Sequence, residues 1–344
     1  LWIHTEAVLD DTLGDLVSKF DPATRQGVNF GIMNYHGVVC AQSNYRNLFF
    51  GIDDGADPAP WKDAGRPGNA IYPMAMCVYK GDLYTGTFEM GKNEVGHLYR
   101  YKGDDQWEDC GAPFPSNAIS ALAVHDGELY VAASHYRSRG SSLGDSENDL
   151  HGGRVYRFKG KDCGKLGESE AIYGLVSFKG KLYGSSLYAP AGLFRYEGGT
   201  TWTDVGNPGG RVEALGIHNG QLLGAGFDLN YGGAYRFDDP GWTDMGTPPD
   251  TTQCYGFMQY QGELFVASWP TGQLGDEKES MGMATYNGML YGGTLPLAQV
   301  YRYDGGTTWT NTGRLDMTPD VKYRRAWSMA VYDGKLFCGV LPSG

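Results

Sequence analysis

Four polar side chains occupy the same place in four consecutive repeats of this chain, directly after the second strand of each repeat. They are Glu89, His135, Tyr188 and Asp228. A carboxylate, an imidazole and a phenol can each move a proton in general acid–base catalysis. In the remaining three repeats the same place is held by proline. The sequence therefore predicts that one sector of the molecule does chemistry, rather than every repeat.

His135 begins the longest interruption of the repeat, a polar loop between Ser134 and Gly153 that also holds Arg137 and His151. Variable loops on a regular scaffold are where binding and catalytic residues usually lie. The two histidines make no recognisable zinc spacing with the cysteines. The sequence predicts no cofactor and leaves a structural metal ion open.

Three further candidates lie on the segments that enter the first strand of a repeat, which we expect at the same face as the loops. Arg211 and Arg325 are suited to holding an anion, because a guanidinium binds a carboxylate or sulfate through two parallel hydrogen bonds. Tyr255 offers an aromatic ring for stacking on a sugar. The sequence predicts an anion-binding surface here.

These residues are positioned by a repeat of about 40 to 50 residues. Each unit has an apolar strand, a two-residue turn and a second strand, and most continue with a third strand ending in Tyr-Arg-Tyr or a close variant and a fourth beginning at tryptophan. The seven hairpins begin at Met74, Ala121, Gly174, Ala214, Gly256, Gly282 and Ser328. Four short antiparallel strands per unit predict an all-β fold, a β-propeller of four-stranded blades. We expect seven blades, although counting residues 28–52 as a blade gives eight.

The ends of the chain depart from the repeat. Residues 1–27 are expected to be an N-terminal extension, with a possible short helix over Glu6–Phe20, and residues 28–344 the propeller domain. The last hairpin, ending at Leu341, lacks outer strands, whereas residues 47–53 resemble an outer strand without a hairpin. We therefore predict that an N-terminal strand completes the last blade and closes the ring. Residues 159–166 lack the tryptophan, and the unit after Trp269 lacks its third strand and tryptophan. Either these blades are truncated or residues are absent from the sequence, and the abrupt break at 272/273 favours absent residues.

Composition limits the classes of molecule that the protein is expected to bind. The net charge of −12 makes nucleic acid an unsuitable partner, and no apolar run reaches the roughly 18 residues of a membrane span. None of the six cysteines forms a CxxC pair, so we expect buried thiols. The chain starts at Leu1, from which we expect a processed or trimmed N-terminus.

Two resemblances add to this interpretation. Over residues 45–344 the Gly-Lys/Glu-Leu-Tyr and Tyr-Arg-Tyr pieces resemble secreted kelch-like propellers found with carbohydrate-active systems. The segments ASHYRS, with His135, and SLYAP, with Tyr188, resemble the seven-bladed propeller polysaccharide lyases of the ulvan lyase type. Those enzymes place a histidine and a tyrosine from neighbouring blades, with an arginine, at one end of the ring.

The second resemblance implies β-elimination on a uronate. Tyr188 is then the base and acid, His135 its partner or the carboxylate neutraliser, and Arg211, chosen on geometry, the carboxylate clamp. The substrate-binding candidates are Glu89, Arg137, His151, Asp228, Tyr255 and Arg325. The implied partner is an anionic or neutral polysaccharide, and we expect a monomer that is secreted or periplasmic.

Two other functions stay open. A propeller glycoside hydrolase would use two carboxylates that flank the bond, with Glu89 and Asp228 as candidates. A non-catalytic sugar-binding or interaction propeller needs neither. For the lyase, His135 and Tyr188 can meet only if their loops fold inward, because equivalent positions on neighbouring blades diverge away from the axis.

Overall fold

The computed structural model describes residues 14–21, 23–36, 41–56, 60–138, 143–227, 232–269, 277, 279–317 and 324–341. For residues 14–15, 32–36 and 41–49 the description is limited to the backbone. Regular structure in all these segments consists of β-strands, with no helix among them. The prediction of an all-β chain is confirmed.

A three-stranded antiparallel sheet comes first. It contains β1 (Gly14–Asp21), β2 (Gln26–His36) and β3 (Ala41–Asp54). The helix expected up to Phe20 is therefore wrong for residues 14–20, because hydrogen bonding of β1 to β2 overrides a weak local pattern. β2 runs through residue 28, where the sequence placed the start of the propeller domain, and that boundary stays a prediction.

Seven antiparallel units follow, named blade 1 to blade 7 in chain order. Blade 1 contains β4 (Tyr72–Tyr79), β5 (Asp82–Phe88), β6 (Leu98–Gly103) and β7 (Gln106–Asp109). Blade 2 contains β8 (Ala118–His125), β9 (Glu128–Ser134), β10 (Arg154–Arg157) and β11 (Lys161–Lys165). Blade 3 contains β12 (Ile172–Phe178), β13 (Lys181–Ser186), β14 (Leu193–Gly198) and β15 (Thr201–Asp204).

The later units are less regular. Blade 4 contains β16 (Val212–His218), β17 (Gln221–Gly226), β18 (Ala234–Phe237) and β19 (Trp242–Asp244). Blade 5 contains β20 (Gln253–Tyr260) and β21 (Glu263–Trp269). Blade 6 contains β22 (Glu279–Tyr286), β23 (Met289–Leu295), β24 (Gln299–Gly305) and β25 (Thr308–Arg314). Blade 7 contains β26 (Arg325–Tyr332) and β27 (Lys335–Leu341).

The first strands of the seven blades follow one another around a ring. Each lies beside the first strand of the next blade, and β26 of blade 7 lies beside β4 of blade 1. At that junction the Ser328 hydroxyl donates a hydrogen bond of 3.2 Å to the Pro73 carbonyl. The first strands are almost wholly buried, so the core lies between blades and around the ring. Seven blades for the complete chain stays a prediction, because residues 1–13 and 270–276 lie outside the described segments.

The predicted hairpin turns are confirmed. Both central residues of each turn have positive φ, for example 48° at Asp126 and 73° at Gly127. This pair of angles defines the type I′ turn, whose twist matches that of the flanking strands. The glycine accommodates the left-handed conformation without steric cost, which explains why it is the constant residue of the turn.

The predicted closing of blade 7 by residues 47–53 is not observed among the described strands. There β27 pairs with β26 alone, and β3 pairs with β2 alone. β3 lies instead beside the first strands of blades 2, 3 and 4. Outside β27, a cavity of about 1600 Å³ is lined by Trp61, Tyr101 and Phe337 among others. The hairpin with β2 occupies the backbone groups that blade 7 was expected to use.

Blade 2 has its fourth strand within residues 159–166, so the alternative of a truncated unit there is wrong. β11 forms there without a tryptophan, and Cys163 on this strand is fully buried. The indole Nε1 of Trp202 on the next blade donates to the Cys163 carbonyl at 2.7 Å. Trp107 makes the corresponding bond to the Ala64 carbonyl at 2.9 Å. Outer tryptophans therefore tie each of these blades to the preceding segment of chain.

Candidate functional site

Glu170, just before β12, lies at the centre of a group of titratable and cationic side chains. Its Oε2 lies 3.4 Å from His135 Nδ1 and 3.2 Å from His151 Nε2. Its carboxylate also pairs with the Arg137 guanidinium. The Glu170 side chain is 5% exposed and that of His151 67%, so the group opens to solvent on the His151 side. These four residues are called the Glu170 cluster.

Backbone hydrogen bonds hold the cluster together. The Glu170 carbonyl accepts from the N–H groups of His135 at 2.9 Å and Gly152 at 3.0 Å. The Asn117 side chain fixes the next residue, accepting from the Tyr136 N–H at 2.7 Å and donating to the Tyr136 carbonyl at 2.8 Å. Both ends of the long loop are therefore anchored where blade 2 meets blade 3.

The body of the loop rests on blade 1. Asn148 Nδ2 donates to the carbonyls of Glu94 at 2.8 Å and Pro115 at 3.0 Å. At the loop ends the imidazoles of His135 and His151 stack, with ring centroids 5.8 Å apart and planes 13° apart. The loop thus brings together two histidines that are separated in sequence.

The return of the loop depends on Gly153, which has φ +68°. A Cβ there would lie 1.9 Å from the Ser169 carbonyl oxygen, whereas a Cβ at Gly127, with φ +73°, meets nothing within 4 Å. Both substitutions to alanine strain the backbone by about 1 kcal/mol, but Gly153→Ala also forces two chain segments apart. We expect Gly153→Ala to lower the free energy of unfolding by about 2 kcal/mol more than Gly127→Ala. Urea unfolding measures this, and equal losses would contradict the close approach.

Tyr188 follows β13 and reaches the same loop. Its phenolic oxygen accepts a hydrogen bond of 2.9 Å from the Arg137 N–H, and the Arg137 guanidinium carbon lies 4.8 Å from the ring centroid. Burial, with a smaller contribution from Tyr136, raises the pKa of Tyr188 well above its ordinary value. The phenol is therefore neutral in the resting site. Arg137 links His135 and Tyr188, which come from neighbouring blades. Its guanidinium pairs with Glu170, which faces His135, and its N–H donates to Tyr188.

Arg211 directly precedes the first strand of blade 4 and contacts the residue before Tyr188 of blade 3. Its Nη1 donates to the Leu187 carbonyl at 3.1 Å and lies 3.7 Å from Glu213 Oε1. Its guanidinium carbon lies 4.5 Å from the Phe227 ring centroid. These contacts hold the Arg211 side chain in place, and it is partly exposed.

A β-bulge near the start of each first strand supplies a second group of residues. In all seven blades the pairing register shifts there. At each shift one or two residues are left out of the pairing. The first of them is Met74, Ser120, Tyr173, Glu213, Tyr255, Met281 or Trp327, in blade order. A bulge leaves one residue out of the ladder and re-aims its side chain. Four of the seven carry an aromatic ring or a carboxylate.

Aromatic side chains meet around these bulges. The Tyr72 ring centroid lies 6.2 Å from that of Tyr136 and 5.9 Å from that of Trp327, and Tyr173 and Tyr255 pack in the same hydrophobic cluster. These five residues are called the axial cluster. In the described part of the chain, the Tyr173 phenol oxygen and the Trp327 indole nitrogen have no hydrogen-bond partner. Burial raises the pKa of Tyr173 well above its ordinary value.

Two candidates from the sequence lie at the axial cluster rather than at the Glu170 cluster. The Tyr255 hydroxyl donates to Gln253 Oε1 at 2.9 Å, and the Arg325 guanidinium carbon lies 5.6 Å from the Trp327 ring centroid. Burial works against the charge of Arg325, but Tyr136, Tyr255, Tyr72 and Glu279 together outweigh it and raise its pKa. Tyr136 also affects the pKa of Tyr188, so it is the shared neighbour of the two clusters.

The carboxyl group of Glu89 faces its own blade. Its Oε1 accepts a 3.2 Å hydrogen bond from the Thr87 hydroxyl, and its Oε2 has no partner in the described structure. Burial, with a smaller effect of Glu94, raises the pKa of Glu89 to about 7. The sequence alignment of repeats placed Glu89 with His135, but its carboxyl group is turned to blade 1. Asp228 lies outside the described residues.

The pKa of Glu89 predicts how stability depends on pH. Below pH 4.5 both the folded and the unfolded chain carry this proton. As the pH rises the unfolded chain ionises first, so stability falls until the folded pKa of about 7 is passed. We compare the free energy of unfolding of Glu89→Gln with that of the wild type. We expect this difference to increase by about 2 kcal/mol in favour of Glu89→Gln from pH 5 to pH 8. Urea titrations at both pH values measure this, and a constant difference would show that Glu89 titrates normally.

Sequence reasoning missed Glu170, Glu213 and Tyr136. The available signal was a charged residue beside an apolar strand, since carboxylates are seldom fully buried without a partner. Glu170 precedes the apolar segment Ala171–Val176, and Glu213 lies within Val212–Ile217. The partners of Glu170 come from blade 2, and for that reason a single repeat could not identify it.

Comparison with known proteins supports the fold alone. The WD40 β-propeller domain of Doa1 superposes with a TM-score of 0.52 at 11% identity, covering 79% of this chain and 90% of that one. The chain is a β-propeller. The computationally designed Ika8 protein gives a TM-score of 0.48 at 10% identity, covering 96% and 95% of the two chains. A putative gluconolactonase gives 0.42 at 12% identity, covering 80% and 89%. No protein-family model matches the sequence, and no curated protein matches it significantly.

In this propeller both clusters lie where second strands end and first strands begin, which is one face of the ring. Arg137, Tyr188 and Arg211 present cationic and phenolic groups between blades 2 and 4. None of the described residues forms a helix that could span a membrane. The face combines proton-transfer groups with guanidinium groups, and such a combination suits chemistry on an anionic ligand.

Proposed function

We propose that this β-propeller is a polysaccharide lyase that cleaves a uronate-containing polysaccharide by β-elimination. The observation that carries the proposal is the joint placement of Tyr188, His135 and Arg137, from two neighbouring blades, in one partly open site. Arg211 stands at its edge. The resemblance of the His135 and Tyr188 segments to propeller lyases of the ulvan lyase type points to the same chemistry.

The reaction needs three acts on one sugar. A base removes the C5 proton, the electron pair forms the C4–C5 double bond, and the C4–O bond breaks as the leaving oxygen takes up a proton. A C5 proton is acidic enough only when the neighbouring carboxylate is neutralised. The site must therefore hold positive charge beside a proton-transfer group.

The structure supports a division of these tasks. Tyr188 is assigned the proton transfer, as base toward C5 and then as acid toward the leaving oxygen, with the Arg137 N–H stabilising its oxygen. His135 and Arg211 are assigned to the carboxylate of the sugar. Arg137 and His151 border the opening of the same site, and we assign them to binding the chain.

The axial cluster suits the sugar that follows. Tyr255, which is partly exposed, offers a ring face, whereas Trp327 and Arg325 are buried behind it and Arg325 supplies positive charge there. An anionic polymer is thus accommodated locally in spite of the net charge of −12. Because a polysaccharide is too large to cross a membrane, the proposal agrees with the expected secreted or periplasmic location.

The test is incubation of the protein with a panel of uronate polysaccharides. Absorbance of the unsaturated uronate is followed together with the release of reducing ends. We expect both to rise in parallel with at least one polymer. Reducing ends without absorbance would identify a hydrolase, and binding without either would identify a binding module; each of these results contradicts the proposal.

A further inference from the structure

We propose that His135, His151 and Glu170 form a binding site for a divalent transition-metal ion of the zinc class. The three candidate ligand atoms lie within 4.8 Å of one another. Two imidazole nitrogens and one carboxylate oxygen are a donor set that zinc uses in catalytic sites. The ion itself does not depend on the proposed function; only its role in the reaction does.

Two of the three distances between ligand atoms match the edge of a metal polyhedron. Glu170 Oε2 lies 3.4 Å from His135 Nδ1 and 3.2 Å from His151 Nε2. The edge of a tetrahedron around zinc, with bonds of about 2.1 Å, is about 3.4 Å. Good hydrogen bonds between nitrogen and oxygen are shorter, with a mode near 2.9 Å. Two imidazoles that face one oxygen from such distances leave room for an ion between them.

The cluster is built to keep these atoms together without an ion. The Glu170 carbonyl binds the N–H of His135 and that of Gly152, the neighbour of His151. All three ligand residues are thereby fixed by the backbone of one junction between blades. Preorganisation of this kind removes much of the entropy cost of ordering ligands.

Arg137 completes the arrangement from outside. Its guanidinium pairs with the Glu170 carboxylate, and a ligating carboxylate is commonly oriented by such a hydrogen-bonding partner. The His151 side is exposed, so the fourth position of a tetrahedral ion faces solvent. Nitrogen donors favour zinc-class ions over magnesium or calcium, which prefer oxygen.

A role in the reaction follows if the proposed function holds. The open position would bind the uronate carboxylate, so that His135 would act on this carboxylate through the ion it holds and not by direct contact, beside Arg211. This assignment rests on the proposed lyase activity. Tyr188, which is not a ligand, keeps the proton transfer.

The experiment titrates untagged, chelator-stripped full-length protein with Zn²⁺ by calorimetry and with Co²⁺ by visible absorption. We expect one Zn²⁺ per chain and the intense absorption of tetrahedral Co²⁺. His151→Ala should weaken binding at least tenfold. The matched control is His97→Ala, since His97 Nδ1 lies 2.9 Å from Asp109 with no third candidate ligand among the described residues, and it should bind Zn²⁺ as the wild type does.

Three results would overturn the proposal: no saturable Zn²⁺ binding by the wild type, equal weakening by His97→Ala, or unchanged binding by His151→Ala. The melting temperature of each variant without metal checks that the variant is folded. If His151→Ala does not fold, Glu170→Gln replaces it as the test variant. Zn²⁺ binding without lyase activity on any polymer would contradict the proposed function and leave the metal site intact. Lyase activity in protein that binds no Zn²⁺ would contradict the metal site and leave the proposed function intact.

Discussion

Tyr188→Phe is expected to abolish the formation of unsaturated uronate and to leave the propeller folded. The substitution removes one oxygen, which accepts a single hydrogen bond from the Arg137 N–H, and keeps the ring under the Arg137 guanidinium. General acid–base groups contribute about 10² to 10⁴ in rate. We therefore expect kcat to fall about 10³-fold, with binding of the polysaccharide retained.

The control is Tyr196→Phe. Tyr196 lies on β14, its hydroxyl donates to the Gly199 carbonyl at 2.8 Å, and burial raises its pKa to about 12. It resembles Tyr188 in chemistry but not in location, so its loss should leave activity unchanged. If Tyr188→Phe kept more than a tenth of wild-type kcat, Tyr188 would not be the proton-transfer residue.

The pKa of Tyr188 gives the same prediction a pH dependence. Because burial raises this pKa, the phenolate fraction grows tenfold for each pH unit throughout the neutral range. A base that acts as phenolate therefore predicts that log kcat/KM rises with pH with a slope near one. A plateau or a fall between pH 6 and pH 8 would assign proton abstraction to another group.

Glu170→Ala has the second largest expected effect. The substitution leaves Arg137 without its carboxylate partner and removes the group that both imidazoles face. Removal of one partner of a buried pair costs about 3 to 5 kcal/mol, and because Arg137 is partly exposed we expect about 2 kcal/mol here. With His135 and Arg137 no longer positioned, kcat/KM should fall about 10²-fold.

Glu168→Ala is the matched control two residues away. Glu168 is 90% exposed and pairs only loosely with Lys165 at 3.8 Å, so its removal should change neither stability nor activity. Urea unfolding and the absorbance assay measure both variants. Equal behaviour of the two variants would show that Glu170 does not organise the site.

The fold was predictable because its signals are local. A turn such as Asp126-Gly127 requires positive φ at adjacent positions, and glycine satisfies it wherever it occurs. The outer tryptophans recur with the blades that they join. The predicted closing strand is not observed, because its pairing is not a local signal. β3 can pair with a distant blade or with β2 beside it, and the sequence pattern alone does not choose between these two partners.

The candidate site was predictable where it departs from the repeat. His135 and Tyr188 stood out because equivalent positions elsewhere are proline. Glu89 stood out equally, yet its carboxyl group turns to Thr87 on its own blade. Position after a strand fixes the place of the backbone, and the direction of the side chain depends on the neighbours that pack around it.

The sequence by itself thus determined an all-β propeller with one chemically distinct sector. Only the tertiary structure brought Glu170 from blade 3 against His135 and His151 from blade 2, and placed Arg325 of blade 7 beside the phenols. The physical reason is that contacts between blades join residues far apart in the chain. Bulges on the first strands then decide which side chains meet around the axis.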